Sequence, residues 1–136
     1  MRRCRVTTTR SSRAARGYDW LSRDAAEVDK YVADPLCGFE GQTVRNGFDR
    51  NDPRRIDPGR LARIRTDLPV LIVVGDADPV HSGLTGVEFF RARWHDAGVR
   101  HIDTLIYPGG RHEMLNETNR DAVTQDIIDW LNRRLH

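Results

Sequence analysis

At 136 residues the chain has the length of a single domain, and 38% hydrophobic against 31% charged residues leaves no apolar run near the roughly 18–20 residues that cross a membrane. Cys4 and Cys37 are too few for a disulfide framework or a cysteine zinc site and fit a reducing compartment, or simply no redox role, and a cytoplasmic location is expected. The net charge of +2 hides an asymmetry, because residues 1–16 carry six arginines and no acid (+6) while the rest sums to −4. A nucleic-acid partner needs a basic face on the domain itself, but the arginines from Arg45 onward alternate with Asp49, Asp52, Asp57 and Asp67, so none is expected.

Residues 1–17 are rich in Arg, Ser and Thr and lack an apolar h-region, so they read as a disordered basic tail rather than a secretory signal. From Tyr18 the pattern changes. Trp20, Leu21, Val28, Tyr31 and Val32 have approximate helical spacing, which predicts a helix over 23–33 capped by Ser22 and ended by Asp34-Pro35. Gly38, Gly41, Gly47 and Pro53 break any period across 36–56, a loop. A short helix over 58–65 follows, with Asp57 as cap and Pro58 at its first position.

Leu68 to Gly75 is the strongest local signal. Five consecutive aliphatic residues, Val70 to Val74, predict a parallel strand buried on both faces. A helix over 83–97 has Leu84, Val87, Phe90 and Trp94 on one face and Gly98 as its stop, and residues 101–107 form a second strand. After the turn Pro108-Gly109-Gly110, Thr118 with Asp121 reads as a capping pair for a last helix that buries Val123, Ile127, Ile128 and Leu131. The class is therefore α/β, with a right-handed crossover expected between the parallel strands.

Ligands of open parallel sheets bind beyond the carboxyl ends of the strands. The first strand runs into GDADPV and the second into PGGRHE, so a carboxylate and an imidazole emerge at one edge. A carboxylate that accepts one ring N–H of a histidine leaves the other nitrogen as base, which is two-thirds of a catalytic triad. Other chemistries fit less well. Asp76 and Asp78 have no further ligands for a cation, His112-Glu113 is not H-E-x-x-H because position 116 is Asn, and G-x-G-x-x-G is absent. No cofactor or metal is expected. Trp20, Trp94 and Trp130 read as packing residues, and Glu113, Asn116 and Glu117 as supports of the last helix. A receiver-like module using Asp76 or Asp78 needs an earlier strand ending in acids, and none precedes residue 68.

The segments YDWLSRDAAEVDKYVADPLCGF, GDADPV, PGGRHEMLNE and DIIDWL resemble the C-terminal part of α/β-hydrolase fold proteins, in particular the lysophospholipase and monoacylglycerol-lipase-like (serine aminopeptidase-like) hydrolases. The resemblance implies cap-end and connecting helices over 18–66 and a βαβα part of the hydrolase core over 67–136. It places Asp78 at the triad acid and His112 at the triad histidine, in the chain order of that fold. It implies a lipid-like or small carboxylic ester as substrate, of the lysophospholipid or monoacylglycerol type. None of the four serines (Ser11, Ser12, Ser22, Ser82) lies in G-x-S-x-G, and no HGGG-like oxyanion loop is present. The chain therefore reads as the C-terminal portion of a hydrolase, inactive alone and prone to self-association through apolar surface, or alternatively as a non-catalytic remnant.

Overall fold

The structure, a computed structural model, describes residues 17–37 and 57–135. All but Gly17 of the tail expected over 1–17, and most of the loop expected over 36–56, lie outside the described residues. Two strands, β1 (Val70–Gly75) and β2 (Ile102–Tyr107), pair in parallel with Val70 opposite Ile102 and Gly75 opposite Tyr107. Helix α3 (Thr85–Asp96) connects them, and Gly98 ends it at a φ of 98°, a region open to glycine. β1 starts at Val70 and not at Leu68, because Pro69 has no N–H to give the ladder and the Leu68 N–H is already used by Arg65 O.

Three expectations about burial are corrected. Val70–Val74 are half-buried and not buried on both faces, since each strand has one partner among the described residues. On α3, Val87 is buried and Trp94 half-buried, but Phe90 is 39% exposed, with its ring centroid 4.7 Å from that of Trp94. On α4 (Arg120–Leu135) the inward seam is buried Val123 and Trp130 with half-buried Ile127 between them, an i, i+4, i+7 set. Ile128 and Leu131 fall beside it and are exposed. The Trp130 indole fixes that rotation by donating to Asp103 of β2 at 2.7 Å.

Helix α1 (Ala25–Ala33) is capped by Asp24, whose carboxylate accepts from Ala26 N, and not by Ser22. Ser22 is buried and occupied elsewhere: its Oγ donates to Asn116 O at 2.7 Å and accepts from Asp24 N at 2.9 Å. Asp34, extended ahead of Pro35, ends α1 as expected. Helix α2 (Pro58–Leu61) has Asp57 as cap and Pro58 in its first turn but stops at Leu61, not Arg65. The expected Thr118–Asp121 cap does not form as a pair, since α4 starts at Arg120 and Thr118 N–H is taken by the Glu117 carboxylate at 3.0 Å. Among the described residues no helix is long and apolar enough to cross a membrane.

Candidate active site

The site lies at the carboxyl ends of β1 and β2. Gly75 closes β1 so near the following loop that a Cβ there would meet the Gly110 carbonyl atoms at 2.1 Å. Only glycine permits this approach, which lets Ala77 N donate to Gly110 O at 2.9 Å. The Asp76 carboxylate accepts from Gly109 N at 2.6 Å. The D-x-D pair is thus divided: Asp76 ties the two loops together, and Asp78 faces the histidine.

Asp78 is 7% exposed and caps a one-turn 3-10 helix over Pro79–His81. Its Oδ1 accepts from Val80 N at 2.8 Å, and its Oδ2 lies 2.9 Å from His112 Nδ1. An ionised carboxylate only accepts, so Nδ1 carries the hydrogen and Nε2 is the lone-pair nitrogen of the neutral ring. The His112 side chain is 40% exposed, and Nε2 has no partner among the described residues. The structure thus brings together the two residues that the resemblance singled out, 34 positions apart.

Two features of this site were not read from the sequence. Trp20, read as a packing residue, does pack, but against the His112 ring, with centroids 5.0 Å apart. Its carbonyl also accepts from His112 N at 3.3 Å, and Leu21 O accepts from Glu113 N at 2.8 Å. The second feature is His81. Leu84 N donates to its Nδ1 at 2.9 Å, so Nε2 carries the hydrogen and donates to Gly75 O at 2.7 Å, with Asp78 Oδ2 3.9 Å away. These bonds span a turn in which Ser82, Gly83 and Leu84 all have positive φ (54°, 64°, 73°). Pro79-Val80-His81 carries no motif, so no sequence signal marked this histidine.

Glu117 is buried at 0% exposure and does more than support α4. Its carboxylate accepts from Arg23 N (3.1 Å), Arg23 Nε (2.8 Å), Arg111 N (2.9 Å) and Thr118 N (3.0 Å). Burial alone pushes its pKa up, but the Arg23 guanidinium and the N–H groups of Thr118, Arg111 and Arg23 outweigh it and hold the carboxyl below its ordinary value. Arg111 adds bonds from Nη1 to Ser22 O at 3.0 Å and to Asp19 O.

Residues 3–119 match the family model described as serine aminopeptidase, S33. The chain belongs to the serine aminopeptidase family. It is 29% identical over 117 residues to a monoglyceride lipase homologue of Monkeypox virus, a match over 85% of this chain and 40% of that protein. Among solved structures it resembles a thermostable carboxyl esterase of Bacillus coagulans, crystallised with glycerol, at a TM-score of 0.63 and 23% identity, covering 93% of this chain and 40% of the esterase. The described elements of this serine aminopeptidase family member are therefore part of an α/β-hydrolase fold, and the chain spans about two-fifths of the length of each of these relatives.

Proposed function

We propose that Asp78 and His112 are the acid and the histidine of a serine hydrolase acting on carboxylic esters, monoacylglycerol or lysophospholipid in type. The 2.9 Å bond between Asp78 Oδ2 and His112 Nδ1 carries this reading. The family match and the name of the viral relative support the ester substrate. In this chemistry His112 Nε2 removes the proton of a serine hydroxyl as the oxygen attacks the ester carbonyl. The same nitrogen protonates the departing alcohol, and then activates the water that releases the acid from the acyl-serine. Asp78 stays ionised throughout and holds the ring with its N–H on Nδ1.

No serine of the 136 residues lies in G-x-S-x-G, so the nucleophile and the oxyanion donors of this reading come from outside them. Residues 1–136 alone are expected not to turn over esters. A second reading, a chain that keeps the scaffold without the reaction, rests on the same missing elbow. A chimera separates the two. Residues 17–136 are grafted in place of the matching part of the Bacillus coagulans esterase, whose remaining strands are retained. Ester turnover that falls by about 10⁴-fold on Asp78→Asn, and comparably on His112→Ala, is the expected result. A chimera that folds and melts cooperatively without turnover would overturn the hydrolase reading.

A further inference from the structure

We propose that Glu117 is a positioning residue for His112, acting as a buried clamp that seats the segment 19–23 against the histidine loop. The imidazole is held from three directions. Asp78 takes its Nδ1–H, its own backbone N–H goes to Trp20 O, and the Trp20 ring lies 5.0 Å from it. Two of these three come from one short segment that has no regular structure of its own. Residues 17–21 form turns, and α1 begins only at Ala25.

What holds that segment is the Glu117 carboxylate. It binds Arg23 through both backbone N and Nε, three positions from Trp20, and binds Arg111 N, one position from His112. One fully buried carboxylate therefore ties the segment that carries Trp20 to the loop that carries His112. A buried carboxylate stripped of its cation or its N–H donors is left with an uncompensated charge, so the clamp holds only when complete. The Ser22 hydroxyl on Asn116 O and the Arg111 guanidinium on Ser22 O close the same seam. With the clamp opened, Trp20 leaves the imidazole and the ring can exchange its bond to Asp78 for water.

This inference rests on reading Asp78 and His112 as an acid–base pair, but its test does not need hydrolysis. In the 15N-labelled chain, the ring nitrogens of His112 report which one carries hydrogen. The intact protein is expected to show the Nδ1–H form of His112. Glu117→Gln and Arg23→Leu, each checked for a cooperative melt, are expected to lose that dominance, leaving a mixture of the two tautomers. The signals of His81, held by Gly75 O and Leu84 N, stay where they were. A merely structural role would lower the melting temperature and leave the His112 tautomer unchanged, and that result overturns the proposal. Should either single variant fail to fold, the double variant Glu117→Gln/Arg23→Leu decides, because it removes the clamp and leaves no unpaired charge buried. An unchanged His112 signal in folded Arg23→Leu overturns the proposal equally. A chimera without turnover would leave this measurement standing, so the two readings fail separately.

Discussion

Gly75 and Gly110 touch across the ends of the two strands, and the contact leaves no room for a side chain on Gly75. A Cβ there would sit 2.1 Å from the Gly110 carbonyl carbon and oxygen and 2.7 Å from Arg111 N. All three are backbone atoms, so none can swing aside. Gly110 is itself crowded, since a Cβ on it would meet Met114 Sδ at 3.0 Å and Gly75 Cα at 3.1 Å. The acid loop and the histidine loop are thus set by backbone contact, before any side-chain bond between Asp78 and His112 is made. Gly75→Ala must part the loops, at a cost of about 3 kcal/mol or more given the overlap. The check is chemical denaturation against the unaltered chain, and a change under about 1 kcal/mol would contradict the contact.

Asp78→Asn separates the two jobs of that carboxylate. The amide oxygen can still accept from Val80 N, so the one-turn helix over Pro79–His81 keeps its cap. The amide NH2, a donor, then faces His112 Nδ1, which must become an acceptor with its hydrogen on Nε2. The expected result is a fold of nearly unchanged stability with the His112 tautomer inverted, read from the ring 15N shifts. Retention of the Nδ1–H form would mean that something other than Asp78 holds the ring.

How much of this was legible in the sequence follows from where each residue's partners lie. The βαβ order depends on a local aliphatic run, a helical period and turn glycines, each a short-range pattern that brings a carboxylate and an imidazole to one edge, and the choice of Asp78 and His112 there comes from the resemblance to α/β-hydrolases. The errors fall where long-range partners decide. Ser22 looks like a helix cap in isolation, but its hydroxyl is drawn to Asn116 O, 94 residues away, and Asp24 takes the cap. Glu117 reads as a helix support because nothing nearby announces Arg23 as its cation, again 94 residues distant. Ile128 and Leu131 fit an apolar face on spacing alone. The bond from Trp130 to Asp103 turns α4 so that Val123, Ile127 and Trp130 face inward instead. Trp20 does pack, but what it packs against, the His112 ring, is invisible to periodicity.

The Glu117 clamp has a definite acid limit. Its carboxyl is held below the ordinary 4.5 by Arg23 and the surrounding N–H groups in the folded chain. A group whose folded pKa is depressed contributes stability that is complete above the unfolded value and is lost as pH falls through the folded one. The stability difference between the unaltered chain and Glu117→Gln should therefore be flat above about pH 5 and shrink below pH 4.5. Urea midpoints of both proteins between pH 6 and pH 3 measure it. A difference that persists undiminished at pH 3 would mean that the carboxylate's charge is not what holds Arg23.

Among the described residues, apolar side chains of α3, β2 and α4 remain exposed. Phe89 and Phe90 of α3, Ile106 of β2, and Ile128 and Leu131 of α4 are all between 39% and 51% exposed. Each half-buried strand also has one partner among the described residues, which leaves its other edge without a described neighbour. Purified chain is expected to self-associate as its concentration rises, which sedimentation velocity would show as a weight-average s-value that climbs with loading. Phe89→Glu adds a charge to the middle of the α3 patch and should reduce the climb. A monomer at every concentration, with a sharp thermal transition, would show that the described elements and the remaining residues cover one another.

The most direct test of the chemistry asks for its absence. His112 Nε2 has no partner among the described residues, but in the proposed reading a base without a nucleophile has nothing to activate. Ser82 is the nearest serine in sequence to Asp78, and it is a poor candidate. It ends the one-turn helix at a φ of 54°, it is preceded by His81 and followed by a single glycine, and it is exposed. A nucleophile elbow sets its serine between glycines at the tip of a strand-to-helix turn with oxyanion N–H groups beside it. Catalysis that survives loss of one triad member is owed to the oxyanion hole and substrate binding, so without either no remainder is expected. Purified residues 1–136 should therefore hydrolyse p-nitrophenyl butyrate and monoacylglycerol at the buffer rate, and a fluorophosphonate probe should leave no label. Labelling that disappears in both Ser82→Ala and His112→Ala would mean that the chain assembles a nucleophile of its own, and the proposed division between a serine supplied from elsewhere and the acid–base pair held here would be wrong.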